Sequence, residues 1–147
     1  ILGDGSVVTW GDVRRGGDSY SVQNQLKHVQ EIQATDGAFA AILSDGSVVT
    51  WGHASFGGDS SHVQDQLKDV QQIQATDSAF AAILGNGDVV TWTDHGLLSS
   101  AVQKQLKNVH EIQATAGAFA AILSDGTIVP WGPAFYGGYM YNAVQDQ

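Results

Sequence analysis

The chain has 147 residues, of which 43% are hydrophobic and 14% charged, a balance that excludes a disordered tail and fits a folded, soluble protein. Its formal charge of −9, with only six Lys and Arg, argues against nucleic acid or an anionic membrane as a partner. Cysteine is absent, so disulfides and thiolate metal sites are excluded, and no apolar run approaches the roughly 20 residues of a membrane span.

The chain is one segment written several times. Ile1 to Ala41 recurs as Ile42 to Ala82 with 30 of 41 positions identical, then as Ile83 to Ala121, and a fourth copy runs from Ile122 to Gln147. A period near 40 residues marks one supersecondary unit stacked side by side, each burying its apolar face on the next. We expect residues 1–147 to form one repeat array. Since the chain opens and closes in mid-repeat, we also expect it to be a piece of a longer polypeptide.

Each copy opens on a hairpin. Asp4-Gly5, Asp45-Gly46, Asn86-Gly87 and Asp125-Gly126 stand between apolar runs, where both turn residues tolerate positive φ. The strand after the turn, Val7-Val8-Thr9-Trp10 and its copies, has the β-branched and aromatic content of a half-buried pleated surface. Each Trp is expected to end its strand and bury a large apolar area.

After each Trp the copies diverge in length and composition: Gly11 to Ser21, Gly52 to His62, Thr93 to Ala101, Gly132 to Ala143. These stretches are surface loops, gathered on one face of the array. Val22, Leu26, Val29 and Ile32 then follow helical spacing, so a short helical turn competes with a strand, although Ile32-Gln33-Ala34-Thr35 already reads as extended. The strand before the turn, Ala38-Phe39-Ala40-Ala41-Ile42-Leu43, is short and rich in Ala, which lets neighbouring sheets approach closely. The residues thus predict an all-β array with about three and a half antiparallel-sheet units.

The combination Val-x-x-Ile-x-Ala-Thr, an apolar run, Asp-Gly-x-Val-x-x-Trp-Gly and a Gly-Gly loop resembles the repeat of the regulator of chromosome condensation family. Asp45, Gly46, Val48, Trp51 and Gly52 carry the match, with their copies, over nearly the whole chain. The resemblance implies a partial β-propeller with four-stranded blades, from a ring that normally has about seven. Thr35, Thr76 and Thr115 stand where the family usually has Gly, and Ala38, Ala79 and Ala118 where it has His. Gly57-Gly58-Asp59-Ser60 replaces its Gly-Gln-Leu-Gly loop. The closely copied wording is also similar to repeat arrays of dinoflagellate algae, which implies an accessory protein of a large assembly such as a plastid photosystem. The plastid setting is implied by that resemblance alone, and a cytoplasmic one stays open beside it.

Nothing in the residues points to catalysis, a cofactor or a metal. His28 is matched by Asp69 and Asn108, His53 by Asp12, and His110 by Gln30, a drift that fits solvated surface positions rather than ligands. His62 and His95 lie in the divergent loops. No phosphate-cradling Gly-x-x-x-x-Gly-Lys-Ser/Thr stretch and no nucleophile elbow is present. Light sensing through Trp, known in one branch of the family, needs extra Trp paired with Arg. Here each copy has one Trp, and Arg14 and Arg15 are the only arginines.

The expected function is therefore that of a non-catalytic interaction module, a scaffold or accessory subunit that binds other proteins by its loop face or open blade edges. The family resemblance implies nucleotide exchange on a small GTPase as the alternative. Phe135, Tyr136, Tyr139, Met140 and Tyr141 crowd into the last loop and are the first contact candidates, because such side chains bury much area at low entropic cost. An end cap for the array is the competing reading. Leu97, Leu98, Phe56, Arg14 and Arg15 are further candidates. Open blade faces need covering, by more of the polypeptide, by self-pairing that closes a ring, or by a neighbouring protein.

Overall fold

The structure is a computed structural model that describes residues 1–93, 98–133 and 137–138. Among these residues the chain forms three antiparallel sheets, one per repeat. The first holds β1 (Val29–Ala34), β2 (Ala38–Leu43) and β3 (Val48–Gly52); the second β4 (Val70–Ala75), β5 (Phe80–Leu84) and β6 (Val89–Trp92). The third holds β7 (Val109–Ala114), β8 (Phe119–Leu123) and β9 (Ile128–Trp131), and each sheet is ordered as the chain runs. The architecture is all-β and matches a partial propeller.

The central strands explain the Ala content. Ala40, Ala41, Ala81 and Ala82 are all at 0% exposure, because β2 and β5 are covered on both faces. One face of the first sheet, with Ala38, Ala40, Ile42 and Val48, packs on Ile73, Phe80, Val90 and Trp92 of the second. The second sheet presents Ala79, Ala81, Ile83 and Val89 to Ile112, Phe119, Val129 and Trp131 of the third. Alternation along β5 thus sends Phe80 and Ala82 backward to the first sheet, and Ala81 and Ile83 forward to the third.

Backbone bonds stitch neighbours together at both ends. At the hairpin end Val29, Val70 and Val109 N–H donate to Gly5, Gly46 and Gly87 C=O at 2.9, 2.9 and 3.0 Å. At the opposite end Asp36 N–H donates to Asp77 C=O, and Asp77 N–H to Ala116 C=O, both at 2.8 Å.

The blades have three strands where the family resemblance implied four. The stretch with helical spacing makes a 3-10 turn (Gln23–Gln25, Gln64–Gln66) or the short helix α1 (Ser100–Gln105), so the helical turn prevails there. Side chains occupy the outer edge in place of a strand. Gln64 Nε2 donates to Val48 C=O at 2.9 Å, and its Oε1 accepts from Ser60 Oγ at 2.8 Å. The Thr50 and Ser60 hydroxyls meet at 2.9 Å. Gln23, Ser19 and Thr9 repeat these bonds in the first copy. An edge guarded by side-chain bonds needs no fourth ladder.

The hairpin turn also differs in type. The Gly46 N–H donates to Leu43 C=O and the Leu43 N–H to Ser47 C=O, both at 2.9 Å, a three-residue Ser-Asp-Gly loop. Only Gly46 takes positive φ, at 81°. Asp45 contributes its carboxylate, accepting from Ser47 N–H at 3.0 Å and Ser47 Oγ at 2.6 Å.

One expectation fails outright. Trp51, Trp92 and Trp131 are buried, but Trp10 is 82% exposed, and Val7 to Trp10 form no strand. Among the described residues no strand pairs with Val7 to Trp10 as β2 pairs with β3.

Candidate functional site: the loop face

The loops that follow Trp10 and Trp51 lie beside the β1–β2 turn, to which Arg15 and the Phe56 carbonyl are hydrogen-bonded. In the first two units the loop is built by a repeated local code. Asp12 Oδ1 accepts from Arg14 N–H at 2.9 Å, and His53 Nδ1 from Ser55 N–H at 3.2 Å, so both residues cap a 3-10 turn. The carbonyl of Gly16 then accepts from Trp51 Nε1 and that of Gly57 from Trp92 Nε1, both at 3.1 Å. Each loop is tied to the Trp of the next blade. That Trp stacks on the Phe of its own sheet, at 5.3 Å for Phe39 and Trp51 and 5.2 Å for Phe80 and Trp92.

The Gly-Gly pair serves this packing rather than an anion. Gly57 has φ +95°, and a Cβ there would come within 2.6 Å of the Phe80 ring. A Cβ on Gly58 would strike the Gly52 carbonyl. The third loop lacks the pair, and Trp131 Nε1, though buried, finds no partner among the described residues. Trp131 still stacks on Phe119 at 5.2 Å.

The Thr that replaces the family's Gly is used locally. Thr35 Oγ1 donates to Phe56 C=O at 2.8 Å, joining the β1–β2 turn to the following loop. Thr76 Oγ1 accepts from Ala79 N–H at 3.0 Å.

Arg14 and Arg15 are exposed on the first loop. Arg14 Nε lies 3.7 Å from Asp12 Oδ1, and Arg15 Nη1 donates to Asp36 C=O at 3.2 Å. With His53 and Phe56 they line a cleft of about 290 Å³ between the first and second loops. Phe56 is half-buried against the core of the second sheet, and His53 meets its ring edge-on at 5.5 Å. Leu98 packs on the core of the third sheet. Leu97, Phe135, Tyr136, Tyr139, Met140 and Tyr141 fall outside the described residues.

Several polar groups with a structural task escaped the sequence reading. His28, Asp69 and Asn108 all take left-handed φ, at 55°, 53° and 54°. These three residue types share that tolerance, so their exchange reflects one backbone geometry. His53 and Asp12 exchange for the same kind of reason, each offering an acceptor to the turn. Among the described residues, no three His, Asp or Glu come together as a metal would require. No described helix is long and apolar enough to cross a membrane.

No protein-family profile and no curated protein matches the chain by sequence. Solved structures do match. Prp20p from Saccharomyces cerevisiae superposes with a TM-score of 0.59 at 20% identity, covering 84% of this chain and 39% of that one. The yeast RCC1 propeller (Prp20) bound to Kap60 gives 0.54 at 19%, covering 71% and 29%. Human WBSCR16 gives 0.57 at 17%, covering 74% and 35%.

The chain has the RCC1-like propeller fold.

It spans about a third of the length of these RCC1-like propellers, and at such identities the likeness concerns fold. The RCC1-like frame accounts for the Gly and Trp positions, leaving the loop face as the part in which the copies are free to differ.

Proposed function

We propose that this RCC1-like array is a non-catalytic module that binds another protein through its loop face. One observation carries the reading. Repeated polar groups around the first two loops are engaged in the frame: Trp51 and Trp92 on loop carbonyls, Thr35 on the Phe56 carbonyl, Gln64 on the edge strand. The residues that vary from copy to copy, Arg14, Arg15, His53 and Phe56, are the ones that line an open cleft. A rigid repeated frame with variable loops is how repeat scaffolds present contact surfaces.

Two fold neighbours support a protein partner: Prp20p was characterised for binding to Gsp1p and histones, and yeast RCC1 was solved with Kap60. The narrower form of the proposal is an accessory subunit of a large algal plastid assembly, which rests on the resemblance to dinoflagellate repeat arrays. In either form the aromatic cluster Phe135, Tyr136, Tyr139, Met140 and Tyr141 joins Arg14 and Arg15 as contact candidates, with Leu97, Leu98 and Phe56 behind them.

The test is the mass of the native particle that contains the chain, before and after Arg14→Ala with Arg15→Ala, and separately Tyr136→Ala with Tyr139→Ala. A heavy particle that loses this chain, while the chain's own melting temperature holds, supports the proposal. A lone chain at native concentration, or a particle indifferent to both variants, sinks it. Nucleotide exchange is the second reading, favoured by the fold likeness to the Gsp1p-binding propeller. Faster release of labelled nucleotide from a small GTPase on adding the chain would establish it.

A further inference from the structure

Two side-chain donors between the second and third sheets have lost the acceptors that their counterparts keep. Between the first and second sheets, the second loop supplies the dipeptide Phe56-Gly57. Its Phe56 C=O accepts from Thr35 Oγ1 at 2.8 Å, and its Gly57 C=O from Trp92 Nε1 at 3.1 Å. The Phe56 ring lies against Gly37, where a Cβ would come within 2.8 Å of it. Two donors thus hold two successive peptide carbonyls.

One step along the array the donors recur. The third loop, Thr93 to Ala101, is two residues shorter than Gly52 to His62 and has no Gly pair. Trp131 is 6% exposed, and its Nε1 is unpartnered among the described residues. Thr76, equally buried, keeps a long 3.4 Å bond to Ala79 C=O. Among the described residues it has no counterpart of the short bond from Thr35 to Phe56. A cavity of about 400 Å³ is lined by Thr76, Asp77, Ser78, Phe119, Trp131 and Gly132, among others. Thr35, Gly37, Phe80 and Trp92 are the repeat counterparts of Thr76, Ser78, Phe119 and Trp131, so the cavity corresponds to the seat of Phe56-Gly57. Both flanking sheets carry their three strands, and the difference lies in the sequence of the third loop.

We propose that this seat binds a loop of a partner protein by two successive backbone carbonyls, of a small residue followed by glycine. Thr76 Oγ1 donates to the first carbonyl and Trp131 Nε1 to the second, which satisfies buried donors that are costly to leave unpaired. Glycine is required second because a Cβ at Gly57 would come within 2.6 Å of the Phe80 ring, whose counterpart here is Phe119. Ser78 stands where Gly37 makes room for an aromatic ring, so the first residue must be small. Asp77 is the one charged residue of the described lining, which disfavours a terminal carboxylate and favours neutral mid-chain carbonyls. The proposal rests on the reading of the loop face as a protein-binding surface, and names the partner's chemistry there.

The test adds the end-blocked peptide Ala-Ser-Ser-Gly-Gly-Ser-Ser to the chain and follows the indole N–H signals by nitrogen-15 NMR. In the free chain the Trp131 N–H should exchange with solvent faster than those of Trp51 and Trp92, which are hydrogen-bonded. Millimolar peptide should slow that exchange and shift the signal downfield, saturating at one peptide per chain. Ala in place of the first Gly should abolish the effect, and Phe in place of the Ser before it should weaken binding about tenfold. Ser78→Gly should remove the penalty on the Phe peptide. Trp131→Phe keeps a ring in the stack without the donor and should weaken binding about tenfold. Should that variant fold poorly, Thr76→Val gives the same reading. A Trp131 N–H already slow in the free chain overturns the proposal, because its acceptor then belongs to the chain itself. So does exchange that millimolar peptide leaves unchanged, or a penalty on Phe that Ser78→Gly does not lift. A native particle that loses the chain in Arg14→Ala with Arg15→Ala, yet keeps it in Trp131→Phe and Thr76→Val, sinks this seat and leaves the wider reading standing.

Discussion

Val8-Thr9-Trp10 and Val90-Thr91-Trp92 are the same three residues at the same place in the repeat, yet Trp10 is 82% exposed and Trp92 is at 0%. Trp92 has a Phe80 ring beneath it, a Gly57 carbonyl for its Nε1, and the face of the first sheet against it. Trp10 has none of these among the described residues. Burial here is conferred by the preceding sheet and by the strand's own partner, and the tripeptide only supplies the surface.

Substituting the two tryptophans should separate the two regions most widely. Trp92→Ala removes a fully buried stack and is expected to cost about 3–5 kcal/mol, whereas Trp10→Ala should stay within about 0.5 kcal/mol. Urea unfolding of both variants checks this, and equal losses would break the comparison. Next come the glycines that let a loop reach the following blade. Gly57→Ala forces a side chain into positive φ and onto Phe80, an expected loss of roughly 1–3 kcal/mol, while Gly3→Ala meets nothing within 4 Å and should be neutral. Thermal melts of the pair would show it.

A smaller effect follows from the edge bonds. Gln64→Ala deletes the amide that bonds Val48 C=O and Ser60, and about 1 kcal/mol is expected from equilibrium unfolding. In the first unit the same bonds hold a segment with no ladder, so Gln23→Ala should raise amide exchange at residues 7–10 before it lowers global stability.

The smallest effect is that of pH. Hydrogen bonds from the Ser6 and Ser47 hydroxyls, then from their amides, hold Asp4 and Asp45 below the ordinary carboxylate value, and Thr127 does the same for Asp125 through its amide first. A carboxylate depressed in the folded state adds stability above its unfolded pKa and loses it as pH falls through the folded one. Melting temperature should therefore decline as pH falls below about 4. Asp45→Asn keeps the acceptor, as Asn86 does in the β5–β6 hairpin, and should flatten that decline.

The hairpins, the period and the loop positions were legible because they rest on local rules: turn residues between β-branched runs, repeated at a fixed spacing. Turn type was less so. Asp45 and Gly46 look alike as turn formers, but the three-residue loop asks positive φ of the glycine alone. The three strands of each blade were legible, but that no fourth one joins them was not. A Gln side chain standing in for a fourth strand depends on Ser60, Gln64 and Val48 meeting across the sheet edge. His28, Asp69 and Asn108 read as unconstrained drift until their common left-handed backbone appeared.

By itself the sequence determined that this protein is a stack of equal β units with variable loops, because period, turns and alternation are encoded within each copy. Only the tertiary structure decided which copies of one motif become core and which remain surface. The physical reason is that apolar burial needs two sides. Each repeat encodes one of them, and the adjoining strand or sheet brings the other.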